Sequence, residues 1–144
     1  MLARRAGRRP ADRRGDQPHR AAQATPFALP LDRFDGAVLY WEEMGSLASY
    51  VWSYLHVLRH HGVLDRISGM VVGVPHAIDG LAVPPESPAL REIVLDVLGD
   101  RAIPVLGNVE FGHAGPNLPM PVGLRAGLDA RQRTLSLLEP AVRA

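Results

Sequence analysis

The sequence predicts an α/β domain: a mixed sheet with helices packed on it. Three observations carry that expectation. Short apolar runs of strand length at residues 36–41, 67–74 and 103–109 alternate with two stretches whose apolar residues recur at helical spacing. A pair of short strand candidates then closes the chain. With 47% hydrophobic residues, 144 residues can bury one ordinary core but are too few for two large domains.

The first run comes after a polar turn at residues 31–36 and reads as a buried strand that ends in two carboxylates, Glu42 and Glu43. Acids at the end of an apolar strand cost desolvation unless a partner offsets it. Alternation sends Glu42 and Glu43 to opposite sides, and Glu43 is expected to be a salt-bridged or solvated strand end. Gly45 and Ser46 then open a helix. Leu47, Val51, Tyr54, Leu55 and Leu58 form its apolar stripe, and Gly62 stands where a glycine ends a helix. His56 and His60 are four apart, a spacing that can grip a metal from one helical face. At about 100° per residue they fall opposite the stripe, so a solvated face is expected, and no metal.

Residues 67–74 read as the second strand, closed by Pro75, and the Gly/Pro-rich stretch after it as a solvated loop that includes His76 and Asp79. Ser87 and Pro88 offer a capping hydroxyl and a preset φ for a second helix. Leu90, Ile93, Val94, Val97 and Leu98 supply its buried face, and Gly99 ends it. The third run leads straight into a loop rich in glycine and proline. Gly112 and Gly115 allow backbone conformations closed to other residues, while Pro116, Pro119 and Pro121 stiffen the segment beyond them. His113 is therefore expected at a loop tip beside a strand end, a place where a general base is often held. Residues 122–128 and 133–138 read as a hairpin around Leu-Asp-Ala-Arg-Gln.

Four ordered blocks carry a resemblance to a known family: L-Y-W-E-E-M-G at 39–45, H-G-V-L-D-R-I-S-G-M-V-V-G at 61–73, I-P-V-L-G-N-V-E-F-G-H at 103–113 and P-N-L-P-M-P-V-G at 116–123. Together they resemble the LD-carboxypeptidases and microcin-immunity-type hydrolases, the S66 group of serine peptidases, from about residue 25 to the C-terminus. The resemblance implies the swivelling β/β/α fold of that family's C-terminal domain. It also implies a Ser-His-Glu triad, with its histidine on His113, its glutamate on Glu42, and amide hydrolysis by acyl transfer. Both residues are then expected on one side of the domain, at neighbouring strand ends. The W-E-E and F-G-H forms lean toward the microcin-immunity-like branch.

In the family the nucleophilic serine lies on a separate N-terminal α/β domain that has no counterpart in this sequence. Ser46, Ser49, Ser53, Ser68, Ser87 and Ser136 are the serines present, and none sits in a glycine-flanked nucleophile elbow. An arginine that the family pattern often has near Ser53 is also absent. The chain is thus expected to be a truncated form that contributes base and acid but is inactive alone, on muropeptide or peptidyl-nucleotide substrates. A non-catalytic remnant or binding module is the alternative. The resemblance implies no cofactor, and a homodimer stays open.

Absence of cysteine excludes disulfide and thiol chemistry, and no apolar run approaches the roughly eighteen residues of a membrane span. The arginine-rich start lacks the apolar core of a signal peptide, so a cytoplasmic protein that does not contact membrane is expected. All sixteen basic residues are arginine. Residues 1–24 hold seven arginines against Asp12 and Asp16, a net of +5, which leaves nine arginines against thirteen acids, net −4, for residues 25–144. The tail has no aromatic residue for base stacking and no apolar helical face, so a disordered extension is expected rather than a nucleic-acid binder. Limited trypsin digestion should remove residues 1–24 before cutting elsewhere; arginines there that resist cleavage would contradict a disordered tail.

Overall fold

Three of the apolar runs pair side by side and in parallel: β1 (Val38–Trp41), β2 (Gly69–Gly73) and β3 (Val105–Val109), in the order β1-β2-β3. Val38 sits opposite Gly69 and Met70 opposite Val105. The structure is a computed structural model that describes residues 25–26, 28–44, 47–75, 89–113 and 115–142. The tail at residues 1–24, Gly45, Ser46, His76, Asp79, Ser87 and Pro88 lie outside the described residues. Every residue of β2 is buried, which is why its sequence is a continuous apolar run rather than an alternation.

A sheet buried on both faces needs a cover on each. One face carries α1 (Ala48–His60) and α2 (Leu90–Leu98), whose Val51, Leu55, Leu58, Ile93, Val94 and Val97 pack on Leu39, Met70 and Val72. The other face presents Val38, Tyr40 and Val71, on which Phe111, Met120, Leu128 and Leu135 pack. Here the cover is incomplete: a cavity of about 610 Å³ lies between Tyr40, Val71 and Val109 on one side and Met120, Leu124 and Leu135 on the other.

The α/β class agrees with the sequence expectation, but the last two strands do not join the first sheet. β4 (Ala126–Asp129) and β5 (Thr134–Leu137) pair only with each other, antiparallel, with Leu128 opposite Leu135. Pro119, Pro121 and Gly123 at φ 86° keep the chain before them off a ladder, which also makes β4 start later than expected. Asp129 Oδ1 accepts from the backbone N–H groups of Arg131 and Gln132, both at 2.9 Å, and so builds the turn.

Both helices begin later than expected. Leu47 is extended at φ −70°, ψ 147°, and acts as the N-cap of α1 rather than as its first turn; it is half-exposed, and Ala48 takes its place in the stripe. Gly62, at φ 78°, turns the chain away just after α1. For α2 the N-cap is Ala89, not Ser87. Glu92 accepts from the Ala89 N–H at 3.2 Å, and since alanine has no acceptor this is half of a capping box.

His60 is exposed, but His56 is not on a solvated face. Its ring lies 4.1 Å from that of Trp52 and its side chain is only 19% exposed, with Nε2 3.8 Å from Asp96 Oδ2. The reason is that α2 lies along this flank of α1. Trp52 Nε1 donates to Asp96 Oδ2 at 2.8 Å and Arg59 donates to the Val97 carbonyl at 3.2 Å. Among the described residues no helix is long and apolar enough to cross a membrane.

Stability should track this layering. Leu39→Ala, at a position 1% exposed in the helix-side core, should cost about 2–5 kcal/mol in urea unfolding. Leu137→Ala, 49% exposed on the hairpin, should stay within about 0.5 kcal/mol. Equal costs would contradict a core centred between sheet and helices.

Candidate active site

Parallel pairing puts the C-terminal ends of all three strands on one edge. Glu42 is the first residue past β1, Gly73 is the last of β2, and the loop of His113 leaves from β3. The sequence expectation of neighbouring strand ends needs correction, because β2 lies between β1 and β3. Glu42 and His113 meet across the end of β2, where Gly73 has no side chain to separate them.

The end of β3 is re-aimed by a bulge. Val71 pairs with Leu106 but Gly73 pairs with Val109, so β3 carries one residue more than β2, and Asn108 takes a left-handed φ of 58°. Val109 then accepts at its carbonyl from both Val74 N–H at 3.1 Å and Phe111 N–H at 2.7 Å. Phe111 is 3% exposed and packs edge-on against Tyr40, ring centroids 5.7 Å apart. Gly112 comes next at φ 104°, a backbone region that favours glycine. Its N–H donates to Asn117 Oδ1 at 3.0 Å, and Leu118 N–H donates to the Glu110 carbonyl at 2.8 Å, which closes the loop under His113.

The outcome is a two-pronged contact. His113 Nδ1 lies 3.0 Å from each Glu42 carboxyl oxygen. A carboxylate can only accept, so Nδ1 carries a proton, and in the neutral ring the lone pair is then on Nε2, on the far side. The carboxylate side chain is 19% exposed and the imidazole 53%, so the acid is the more buried partner and the ring the more solvent-exposed one. Such a pair is able to take a proton at Nε2 while the carboxylate stabilises the imidazolium that results. Glu43 is 8% exposed, so the solvated alternative for this strand end does not hold.

The described serines lie elsewhere. Ser53 Oγ donates to the Ser49 carbonyl along α1, Ser68 Oγ donates to the Gly36 carbonyl at the opposite, N-terminal edge of the sheet, and Ser136 is on β5. None hydrogen-bonds His113 among the described residues. No three His, Asp or Glu side chains among those residues converge in a group able to hold a metal. Sequence reasoning reached both members of the pair but missed Gly73, Asn108 and Asn117. A strand-end glycine and an asparagine five residues after a glycine have no pattern that marks them.

Known proteins are similar to this chain in sequence and in fold. Residues 19–128 match the LD-carboxypeptidase C-terminal domain. A Streptomyces coelicolor protein provisionally named as a carboxypeptidase is 35% identical over 118 residues, which is 82% of this chain and 36% of that protein. The structure of the microcin C7 self-immunity protein in complex with glutamyl sulfamoyl guanosine superposes with a TM-score of 0.72 at 20% identity, over 85% of this chain and 35% of that one. A muramoyltetrapeptide carboxypeptidase from Oxalobacter formigenes gives 0.61 at 22% identity, over 74% and 36%. The chain thus spans about a third of the length of the relatives it matches. On a family match that covers most of its residues, the chain belongs to the LD-carboxypeptidase C-terminal domain family, the S66 peptidases.

Proposed function

We propose that this chain supplies the base, His113, and its orienting acid, Glu42, to a Ser-His-Glu triad that hydrolyses an amide bond in a peptide-type substrate. The single observation that carries this reading is the contact of His113 Nδ1 with both Glu42 oxygens at 3.0 Å. A serine hydroxyl brought to Nε2 by an N-terminal domain gives up its proton as its oxygen attacks the carbonyl carbon. The imidazolium then passes that proton to the leaving amine, and water releases the acyl group by the same route in reverse. Glu42 accepts the hydrogen bond from Nδ1–H throughout, which fixes the tautomer of the neutral ring and stabilises the imidazolium. Residues 25–144 form the folded unit in this proposal, and residues 1–24 a tail outside it.

Two kinds of relative support a peptide-type substrate: a muramoyltetrapeptide carboxypeptidase, and an immunity protein whose structure holds glutamyl sulfamoyl guanosine. Muropeptides and peptidyl-nucleotides are the two candidate classes, met in the cytoplasm, by a single chain or by a pair of copies. A base with no nucleophile can at best activate water, and the oxyanion donors also belong to the partner domain, so the chain alone should be inactive. The second reading is a non-catalytic remnant or binding module.

The purified chain should give no turnover of an LD-linked muropeptide or an acyl-adenylate analogue. Addition of a separately expressed N-terminal domain from a relative should produce turnover that is lost in His113→Ala. Failure of the combination would favour the remnant. Turnover by the chain alone that survives Ser46→Ala but not His113→Ala would mean water activation and contradict the serine mechanism.

A further inference from the structure

We infer that Gly73 and Gly112 are positioning residues that form a slot for the Glu42 side chain, and that this slot fixes the His113 tautomer. The inference deepens the catalytic reading and rests on it for its functional meaning. A Cβ at Gly73 would lie 2.8 Å from Glu42 Cβ, 2.8 Å from the Phe111 carbonyl oxygen and 3.2 Å from Phe111 Cε2. Carbon atoms pack at about 3.5–4.0 Å, so something would have to move. Gly73 has no positive φ, which means that its backbone accepts any residue and only space demands glycine.

The atoms in the way are unable to yield quietly. Glu42 Cβ is fixed to the end of β1, and the Phe111 carbonyl belongs to a turn pinned by the bond of its own N–H to Val109. Displacement of either one alters the 3.0 Å contact between Glu42 and His113. From the other side, the three atoms nearest a Cβ at Gly112 all belong to Glu42: Cγ and Oε2 at 2.8 Å and Cβ at 3.0 Å. Glu42 thus runs between two bare stretches of backbone, one from the strand between the partners and one from the histidine's own loop.

Other glycines show the contrast. At Gly69 the nearest obstacle to a Cβ is the tip of Leu128, a flexible side chain, and at Gly107 a Cβ meets nothing within 4 Å. His113 is half-exposed, so little on its solvent side restrains the ring. Its restraint comes from the acid, and the acid's restraint comes from the slot.

The test is nitrogen-15 NMR of the full chain, read at a pH where the imidazole is neutral. His113 should be held as Nδ1–H in the unsubstituted chain and in Gly107→Ala. In Gly73→Ala its shifts should move toward the tautomer mixture of a free histidine; a folded Gly73→Ala that retains the Nδ1–H signature overturns the inference. A double-mutant cycle gives a second reading should that variant fail to fold. Gly112→Ala should destabilise the chain less when Glu42 is already alanine, because the strain of alanine at φ 104° is common to both backgrounds while the clash with Cγ and Oε2 is not. Equal destabilisation in the two backgrounds overturns the slot. Neither readout needs turnover. If both come out as expected and no partner domain yields activity, the catalytic reading fails while the slot stands.

Discussion

Parallel pairing of β1, β2 and β3 brings three strand ends to one edge and leaves the central strand in need of cover on both faces. That constraint shapes the remaining architecture. Parallel neighbours need a crossover, and α1 and α2 supply it on one face, where their apolar stripes close the larger core. The hairpin and the loop before it close the other face through Leu128, Leu135 and Met120, less completely. The same pairing decides where polar chemistry is able to sit. A residue just past a strand end is close to the core yet free of the ladder, which is the position of Glu42 and of the loop that bears His113.

The contact between those two residues is a device for orientation more than for stability. A pair with one member 53% exposed is screened by water, and such pairs contribute little to folding. Its value lies in direction: two equivalent 3.0 Å contacts on Nδ1 set both the tautomer and the plane of the ring. The supporting parts, namely the αL bulge at Asn108, the anchored Phe111 and the cap that Asn117 places on Gly112, all serve to bring one ring nitrogen to one carboxylate across the end of a third strand.

Much of this is written in the sequence where one physical rule dominates. The run Met70-Val71-Val72, closed by Pro75, reads as a buried strand, and Ile93, Val94, Val97 and Leu98 recur as the buried face of a helix. Pairing among strands is less legible, because local pattern does not say what a strand pairs with. The final hairpin is recognisable from its turn, yet nothing in its own pattern says that it stands apart from the main sheet. His56 illustrates the same limit. The neighbour on its flank is α2, which no periodicity within α1 reveals.

Within the site the family resemblance names His113 and Glu42, while the residues that make their meeting feasible carry no chemistry of their own. Gly73 matters for an atom that it lacks, and only coordinates show what that atom would strike. The central claim, that Glu42 acts by orienting His113 in a triad, is tested most directly by the kinetics of Glu42→Gln in the enzyme completed with a partner N-terminal domain. A fall in kcat on the order of 10⁴-fold with KM nearly unchanged is expected, because an amide in place of the carboxylate favours the wrong tautomer. Unchanged kcat in that variant would contradict it.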